Sequence, residues 1–309
     1  PASNAYLTPE RLETTEVTAP LKTFVCESCW LVQLPSFHQS DELFTPDYAY
    51  FSSVSSGWVD HAKRYVTDMI ARFGLSSEDW VVEVASNDGY LLQFVQQAGI
   101  RCTGIEPTAS TAAASRKLGI ETLERFFGAE TARQLVAERG HATLTAANNV
   151  LAHVPDINDF VEGFAILLAT DGVATFEFPH LVNLINECQF DTIYHEHYSY
   201  LSLTAVRKIF AAKGLRIFDV EQVPTHGGSL RVFACHEHSK HPQQSAVDLL
   251  LAAEAAAGVT YPHYYDTLAE RALKVKLDLV EFLVAQKKAG KRVAAYGAAA
   301  KGNTLLNYA

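Results

Sequence analysis

The sequence predicts an α/β protein whose central part is a doubly wound, mostly parallel sheet that ends in an antiparallel strand. Short apolar runs alternate with helical periodicity between residues 56 and 213. Strands that are apolar throughout are typical of parallel sheets covered by helices on both faces. Two further apolar runs, at 215–223 and 229–236, are separated only by PTHGG, which predicts an antiparallel hairpin.

Composition excludes several classes of protein before any motif is considered. The 309 residues are 48% hydrophobic and 19% charged, which describes packed globular domains. A formal net charge of -10 argues against nucleic acid or an anionic membrane as the partner. No apolar run reaches the ~20 residues of a spanning helix, and the first ten residues lack the basic and apolar parts of an export signal. We therefore expect a cytoplasmic protein, a monomer or weak oligomer, that acts on a small molecule.

Residues 1–55 are mixed in composition and centre on FVCESCWLVQL, which predicts a small irregular or β-rich module. Cys26 and Cys29 have the spacing of half a four-cysteine zinc site. No βαβ context surrounds the pair, so structural zinc is favoured over redox chemistry. The three other cysteines lie singly in apolar segments and are expected to be reduced core thiols.

Residues 56–240 carry the alternating pattern and are expected to form the main domain. A helix begins at Ser56, and Gly74 is its expected C-cap. Strand candidates then begin at residues 80, 102, 142 and 172, with helix candidates over 90–98, 108–118, 129–139, 157–168 and 203–213.

Residues 241–309 contain a polar linker and two helical patterns, at 246–257 and 263–289. They end in KRVAAYGAAAKGN, which predicts a strand, a glycine turn and the start of a helix, and so the opening of a second α/β unit. Lys301, Asn303 and Thr304 follow that turn, where a helix N-terminus favours a phosphate. The spacing is not that of an ATPase loop, so binding is favoured over hydrolysis. Both chain ends look like interruptions of a longer protein.

The strand beginning at Trp80 leads into a turn of the kind that binds nucleosides. Glu83 lies within the strand, and Ala85, Asn87 and Gly89 form a tight turn before the next helix. A dinucleotide turn is richer in glycine because a pyrophosphate must approach the backbone. The acidic turn seen here instead favours a cationic nucleoside without phosphate, such as S-adenosylmethionine.

Two neighbouring strands end in polar residues at the same edge of the predicted sheet. Glu106 ends the second strand, where a carboxylate can accept both ribose hydroxyls of a nucleoside. Asn148 and Asn149 leave a buried strand as consecutive amides, and we expect them to face the ligand.

The segment from Tyr194 to His197 is the main candidate for catalysis because four titratable side chains follow one another there. His195 and His197 could chelate a metal, but no convincing third ligand accompanies them. General-base chemistry fits better, since His or Glu can remove a proton next to a carbonyl while Tyr or His donates to the enolate oxygen. His226, in the glycine turn of the hairpin, and Arg231 lie in THGGSLR as further ligand candidates.

Taken together, these motifs resemble those of the S-adenosylmethionine-dependent sugar C-methyltransferases that act on nucleotide-linked 4-keto-deoxysugars. The segments that match occur in the family's order through nearly the whole chain: CESCWLVQL, EVASNDGYLL, GIEP, NNVLAHVPD, FEFPHL, FDTIYHEHYSYLS, THGGSLRVF and YGAAAKGNT. The resemblance implies a class I methyltransferase domain of Rossmann-like fold, preceded by a small zinc-binding module and followed by the start of a second Rossmann-like domain. It divides the chain at 1–55, 56–240 and 241–309.

The resemblance also implies roles for the candidate residues. His197, aided by Glu196, would remove the proton next to the ketone, either of the two being the base, and Tyr194 would hold the keto oxygen. Tyr48 would close over the site. The methyl donor would be held by Glu83, Ala85, Asn87, Gly89, Glu106, Asn148 and Asn149. The substrate would be a nucleotide sugar, expected to carry dTDP and to be methylated at C3 or C5. It would be held by His195, His226, Arg231, Lys301, Asn303 and Thr304.

Three other functions remain open at this stage. An NAD-dependent sugar-nucleotide enzyme would share the sheet and the substrate. An O- or N-methyltransferase would share the cofactor but would need no base next to a carbonyl. A binding module without catalysis would bind the nucleoside only, and the density of titratable groups from Tyr194 to His197 argues against it.

Overall fold

The computed structural model describes residues 9–15, 18–37, 50–297 and 300–309, so the candidate Tyr48 lies outside the described residues. The strands of the described part are, in chain order, β1 (Phe24–Val25), β2 (Val32–Gln33), β3 (Trp80–Val84), β4 (Arg101–Ile105), β5 (Thr122–Leu123), β6 (Ala142–Asn148), β7 (Leu168–Pro179), β8 (Ser199–Tyr200), β9 (Leu215–Val223) and β10 (Ser229–His236).

The α-helices of the same part are α1 (Ser56–Phe73), α2 (Leu92–Gln97), α3 (Ala109–Lys117), α4 (Ala129–Arg139), α5 (Ile157–Leu167), α6 (Leu181–Asn186), α7 (Leu203–Ala211), α8 (Ser245–Ala257), α9 (His263–Lys288) and α10 (Ala300–Tyr308). Short 3-10 helices complete them at Pro9–Glu13, Ser52–Val54, Leu151–His153, Phe190–Thr192 and Thr225–Gly227.

The central sheet has the strand order β5-β4-β3-β6-β7-β10-β9. The five strands β5, β4, β3, β6 and β7 are parallel to one another, whereas β10 pairs antiparallel with both β7 and β9. The predicted α/β sheet with an antiparallel ending is therefore confirmed. Because β10 lies between β7 and β9, Arg231 on β10 is opposite Glu177 on one side and Glu221 on the other.

The two faces of the sheet bury separate apolar clusters. Val81 packs with residues of α1 and α2, whereas Val82, one residue later, packs with residues of α5 and α7. This alternation follows from the period of two along a strand and explains why the parallel strands are apolar throughout. Helix α1 is capped by the Ser55 side chain and ends at Gly74, whose φ of 64° is left-handed, as the sequence predicted.

A second, small sheet joins the N-terminal module to the segment that carries the catalytic candidates. Its strand order is β1-β2-β8, and Val32 of β2 is opposite Tyr200 of β8. A further hydrogen bond runs from the Leu34 amide to the Tyr198 carbonyl. The module is thus completed by a strand that lies more than 160 residues further along the chain.

One predicted element is wrong. The sequence predicted a strand from Arg292 before the glycine turn, but residues 291–297 have no regular structure and are exposed. A strand needs a hydrogen-bonded neighbour, and none of the described residues provides one for this segment. The helix expected after the turn does form as α10, and it packs on the 3-10 helix Phe190–Thr192.

Candidate active site

A large cavity of about 990 Å³ opens at the carboxyl ends of β3, β4, β6 and β7. Its walls come from the turn after β3, from the β6 and β7 ends, from residues 192–201 and from the start of α1. Such a position is where ligands bind in open α/β sheets, because the strand ends leave a crevice there. The volume lies at the upper end of small-molecule pockets.

The turn after β3 presents its backbone to the cavity. Ala85 and Asn87 have left-handed φ values of 56° and 50°, and both line the cavity. The Asn87 amide donates to Glu106 Oε2 at 2.9 Å, and the Thr108 amide donates to Glu106 Oε1 at 2.9 Å. Glu106 is thereby fixed at the cavity wall, and a carboxylate has room for further donors.

Two of the residues predicted to bind cofactor lie outside the cavity lining. Glu83 is fully buried on the sheet face that packs against α1 and α2, because it shares the alternation of Val81. Burial raises the pKa of Glu83 well above its usual range, against the opposing effect of the Tyr90 hydroxyl. Gly89 has a φ of 82°, and a Cβ there would lie 2.7 Å from Ile120 Cδ1, so this glycine serves close packing of the turn.

The end of β6 carries amide groups at the cavity whose polar atoms are poorly satisfied by the protein. Both side-chain polar atoms of Asn148, together with Asn149 Oδ1, have no hydrogen bond of ordinary geometry among the described residues, and both side chains line the cavity. Asn149 is held in place by its own amide, which donates to the Glu177 carbonyl at 2.8 Å. Buried polar groups are normally paired, so these atoms indicate a polar ligand.

His197 lies in the cavity as a neutral base with a defined tautomer. Its Nδ1 is 2.8 Å from the Thr192 carbonyl, which can only accept, so Nδ1 carries the proton and Nε2 has a free lone pair. Burial, followed by the neighbouring His153 ring 4.6 Å away, lowers the pKa of His197 well below its usual range. Burial likewise lowers the pKa of His153 to about 4.

The neighbours of His197 contribute an aromatic hydroxyl and a carboxylate. The Tyr194 ring lies 4.1 Å from the His197 ring, and Tyr194 and Glu196 both line the cavity. The Glu196 carbonyl accepts from His153 Nδ1 at 2.9 Å, which fixes the backbone of this segment. These three predicted residues are therefore brought together on one wall.

His226 and Lys301 reach the same cavity from distant parts of the chain. His226 has a left-handed φ of 54° and packs edge-on against Trp58, with ring centroids 5.2 Å apart. Burial and the nearby Lys301 ammonium lower the pKa of His226. Lys301 also lowers the pKa of His197, so its charge acts on both rings from the first turn of α10.

Four residues predicted to bind substrate do not line the cavity. His195 does not line it and lies 3.2 Å from the Ala19 carbonyl, because residues 194–197 form a turn that is closed by a hydrogen bond from the His197 amide to the Tyr194 carbonyl. Asn303 bonds to Asn307 within α10, and Thr304 Oγ1 donates to the Ile193 carbonyl, so both support the helix. The fourth, Arg231, belongs to the cluster described next.

Arg231 lies in a buried ionic cluster behind the cavity wall. Its Nε donates to Glu177 Oε1 at 2.7 Å, and its Nη1 donates to Glu221 at 2.9 Å. His61 completes the cluster at 2.8 Å from Glu177 Oε2 and stacks on Trp58. Burial opposes ionisation, but His61 and Arg231 hold the pKa of Glu177 below its usual range. The partners of Arg231 were invisible in the sequence because they come from three separate elements.

Several cavity residues were not identified from the sequence. Trp58 and Tyr90 line the wall beside His226, and Tyr50 and Ser52 precede them on the N-terminal side. The helical periodicity of α1 marked a core face but could not show that its first turn reaches a ligand site. The motif NNVLAHVPD did place His153 near Asn148, which was the available signal for its role.

The cysteine pair lies in a turn between β1 and β2, where burial raises the pKa of Cys29. The Cys26 amide donates to the Leu31 carbonyl, and the Trp30 amide donates to the Cys26 carbonyl. Backbone N–H groups of Cys29 and Ser28 lower the pKa of the Cys26 thiol, as a bound thiolate requires. Within the described residues, however, no three His, Cys, Asp or Glu side chains form a metal-binding group.

Among the helices of the described residues, none combines the length and the apolar character needed to cross a bilayer.

Three family profiles match successive parts of the chain. Residues 58–220 match a family described as "Methyltransferase domain", and residues 224–309 match "C-methyltransferase C-terminal domain". Residues 1–44 match a family described as "Putative zinc binding domain".

Comparison with individual proteins gives one close relative and several distant structures. The C-methyltransferase NovU of Streptomyces niveus is 37% identical over 291 residues, which is 94% of this chain and 69% of that protein. Magnesium protoporphyrin IX methyltransferase (ChlM) of Synechocystis PCC 6803 with bound SAH is 15% identical, with a TM-score of 0.48 over 63% of this chain and 92% of that one. The same enzyme with bound SAM gives 15% identity and a TM-score of 0.46, over 64% and 89% of the two chains.

Proposed function

Because the chain belongs to the family of S-adenosylmethionine-dependent C-methyltransferases, we propose that it methylates the carbon next to the ketone of a nucleotide-linked 4-keto-deoxysugar. The observation that carries this proposal is the state of His197. A neutral imidazole with a free Nε2 faces a cavity that also contains the polar edge expected for the methyl donor. Carbon methylation needs such a base, whereas methylation of an amine or hydroxyl can proceed without one.

The cofactor end of the cavity lies between the β3 turn and the β6 end. In the proposal, Glu106 accepts the ribose hydroxyls, and the poorly satisfied amides of Asn148 and Asn149 bond the polar groups of the donor. Ala85 and Asn87 present backbone to the ligand. When bound, S-adenosylmethionine supplies an electrophilic methyl group to the acceptor carbon and leaves as S-adenosylhomocysteine.

The acceptor end lies around His197. Its Nε2 takes the proton from the carbon next to the ketone, and the Thr192 carbonyl stabilises the imidazolium by accepting from Nδ1. The Tyr194 hydroxyl donates to the keto oxygen as charge develops there. Glu196 lies in the same wall, where its carboxylate can favour the protonated ring once the proton has been transferred.

A charged substrate is supported by the opposite wall. Lys301 and His226 line the same cavity as His197, and the Lys301 ammonium acts electrostatically on both rings. A diphosphate is the group for which a lysine at a helix start is suited. The cavity volume of about 990 Å³ accommodates a donor and a sugar nucleotide side by side.

The test separates proton removal from methyl transfer. With a panel of dTDP-4-keto sugars, His197→Asn should abolish methylation, assayed with S-adenosylmethionine, and also solvent-deuterium exchange at the carbon next to the ketone, assayed with S-adenosylhomocysteine in place of the donor. His195→Asn is the matched control, because this neighbour does not line the cavity. Exchange at the normal rate in His197→Asn would show that another group is the base.

Location of the methyl group decides between the remaining functions. Labelled methyl donor and fragmentation of the product should place the label on carbon, at C3 or C5. A label on oxygen or nitrogen would contradict the proposal. Calorimetric titration with S-adenosylhomocysteine and with NAD provides a second comparison, in which only the former should bind.

The proposal includes a structural zinc ion at Cys26 and Cys29. The lowered pKa of the Cys26 thiol fits a metal-bound thiolate, and tetrahedral zinc needs two more ligands from outside the described residues. Purified protein should release about one zinc ion per chain on unfolding, measured with a colorimetric chelator. Cys26→Ser should release much less, whereas Cys102→Ser, a core thiol, should match the wild type.

A further inference from the structure

Asn87 and Asp88 lie in the turn after β3, residues 85–89, called here the cofactor turn. They also bind a segment of the N-terminal region. Asn87 Oδ1 accepts from the Ser52 amide at 2.9 Å, and Asn87 Nδ2 donates to the Tyr50 carbonyl at 3.1 Å. Asp88 Oδ2 accepts from the Ser53 amide at 3.1 Å. The Asn87 side chain, which was expected to meet the ligand, is therefore used together with Asp88 to hold residues 50–54, called here the 50–54 segment.

The 50–54 segment is part of the cavity wall. Tyr50 and Ser52 line the cavity, and Ser55 immediately caps α1, whose Trp58 lines it as well. Val54 is 84% exposed and Phe51 is half-buried. Three hydrogen bonds from the turn hold the segment against the cavity.

Asn87 also contacts Glu106, on the side of the turn away from the 50–54 segment. The Asn87 amide donates to Glu106, the carboxylate proposed to bind the ribose, while its side chain holds the segment. A displacement of Glu106 or of the turn backbone is thus transmitted directly to Ser52 and Tyr50. The left-handed φ of 50° at Asn87 allows the backbone to face the cavity and the side chain to face the segment.

We propose that Asn87 and Asp88 are positioning residues that couple the cofactor turn to the 50–54 segment, so that donor binding fixes the wall carrying Tyr50, Ser52 and Trp58. The inference rests on the proposed cofactor site. It does not depend on which acceptor is methylated, and its test needs no turnover.

Hydrogen exchange measured by mass spectrometry on peptides covering residues 50–58 tests the coupling. In the wild type, S-adenosylhomocysteine should slow exchange of these amides. Asn87→Gly removes the side chain but keeps the left-handed backbone, and should speed exchange of the ligand-free protein by about tenfold. The slowing by S-adenosylhomocysteine should also be lost.

Two further variants keep the test decisive. Asn149→Gly makes the same change at another left-handed position of the cavity without touching the segment, so its ligand-free exchange at 50–58 should match the wild type. Asp88→Ala removes one hydrogen bond to the segment at a position without a left-handed backbone, and it should also speed exchange at 50–58. It provides the test if Asn87→Gly does not fold. Unchanged exchange in either turn variant, or wild-type slowing by S-adenosylhomocysteine in Asn87→Gly, would overturn the inference.

Discussion

Replacement of Arg231 by methionine should strongly destabilise the fold. Arg231 is 5% exposed and Glu177 is fully buried, and two guanidinium nitrogens lie 2.7 and 2.6 Å from Glu177 Oε1. Arg231→Met leaves the Glu177 side chain with its hydrogen bond to His61 but without the guanidinium charge. Removal of one member of a buried pair costs about 3–5 kcal/mol because the other charge stays desolvated. That loss is a large part of the ~5–15 kcal/mol by which a typical protein is stable.

Urea unfolding at pH 7, followed by tryptophan fluorescence, measures this loss. Arg133→Met is the control, because Arg133 and Glu162 form an exposed pair with side chains 56% and 38% accessible, and it should change stability far less. The double variant Glu177→Gln, Arg231→Met removes the stranded charge and should recover at least half of the loss. If Arg231→Met were as stable as the control, the buried-charge argument would be refuted, and a direct role in substrate binding would regain support.

Three further predictions concern packing, cofactor affinity and pH. Gly89→Ala should be clearly less stable in urea than Gly74→Ala, because both glycines have positive φ but only Gly89 would place a Cβ within 3 Å of its neighbours; equal losses would contradict this account. Glu106→Gln should weaken S-adenosylhomocysteine about tenfold in calorimetry, and unchanged affinity would remove Glu106 from the site. Because His153 titrates near pH 4 in the fold and near 6.5 when unfolded, the unfolded chain binds more protons between these values. Stability should therefore fall as the pH drops from about 6.5 to 4, and His153→Gln should flatten that slope; an unaltered slope would exclude His153 as its source.

The sequence predicted the sheet well because its information is local. Apolar runs, helical periodicity and capping residues such as Gly74 depend on neighbours a few positions away. The strand predicted from Arg292 does not form. Strand formation depends on a hydrogen-bonded neighbour, and a local sequence pattern does not show whether one is present.

Site residues were predictable in kind but not in orientation. Four consecutive residues, Tyr194 to His197, were recognised as unusual, yet only the structure separates those that face the cavity from His195, which does not. In the same way, Arg231 and Asn87 carry polar groups suited to a ligand. Arg231 bonds to Glu177, which is 54 positions earlier in the chain, and Asn87 bonds to Ser52, which is 35 positions earlier. Such pairings cannot be deduced from composition or spacing.

The strand β8 has a practical consequence for dissecting this enzyme. Its pairing with β2 means that the backbone just after His197 is aligned by residues from the cysteine-containing end of the chain. A truncated protein that begins at Tyr50 would keep the 50–54 segment and every strand of the central sheet, and would still be expected to bind the methyl donor. It would lack β1 and β2, the strands that pair with β8 next to the proposed catalytic residues. Turnover of such a fragment should therefore fall while its affinity for the cofactor is retained.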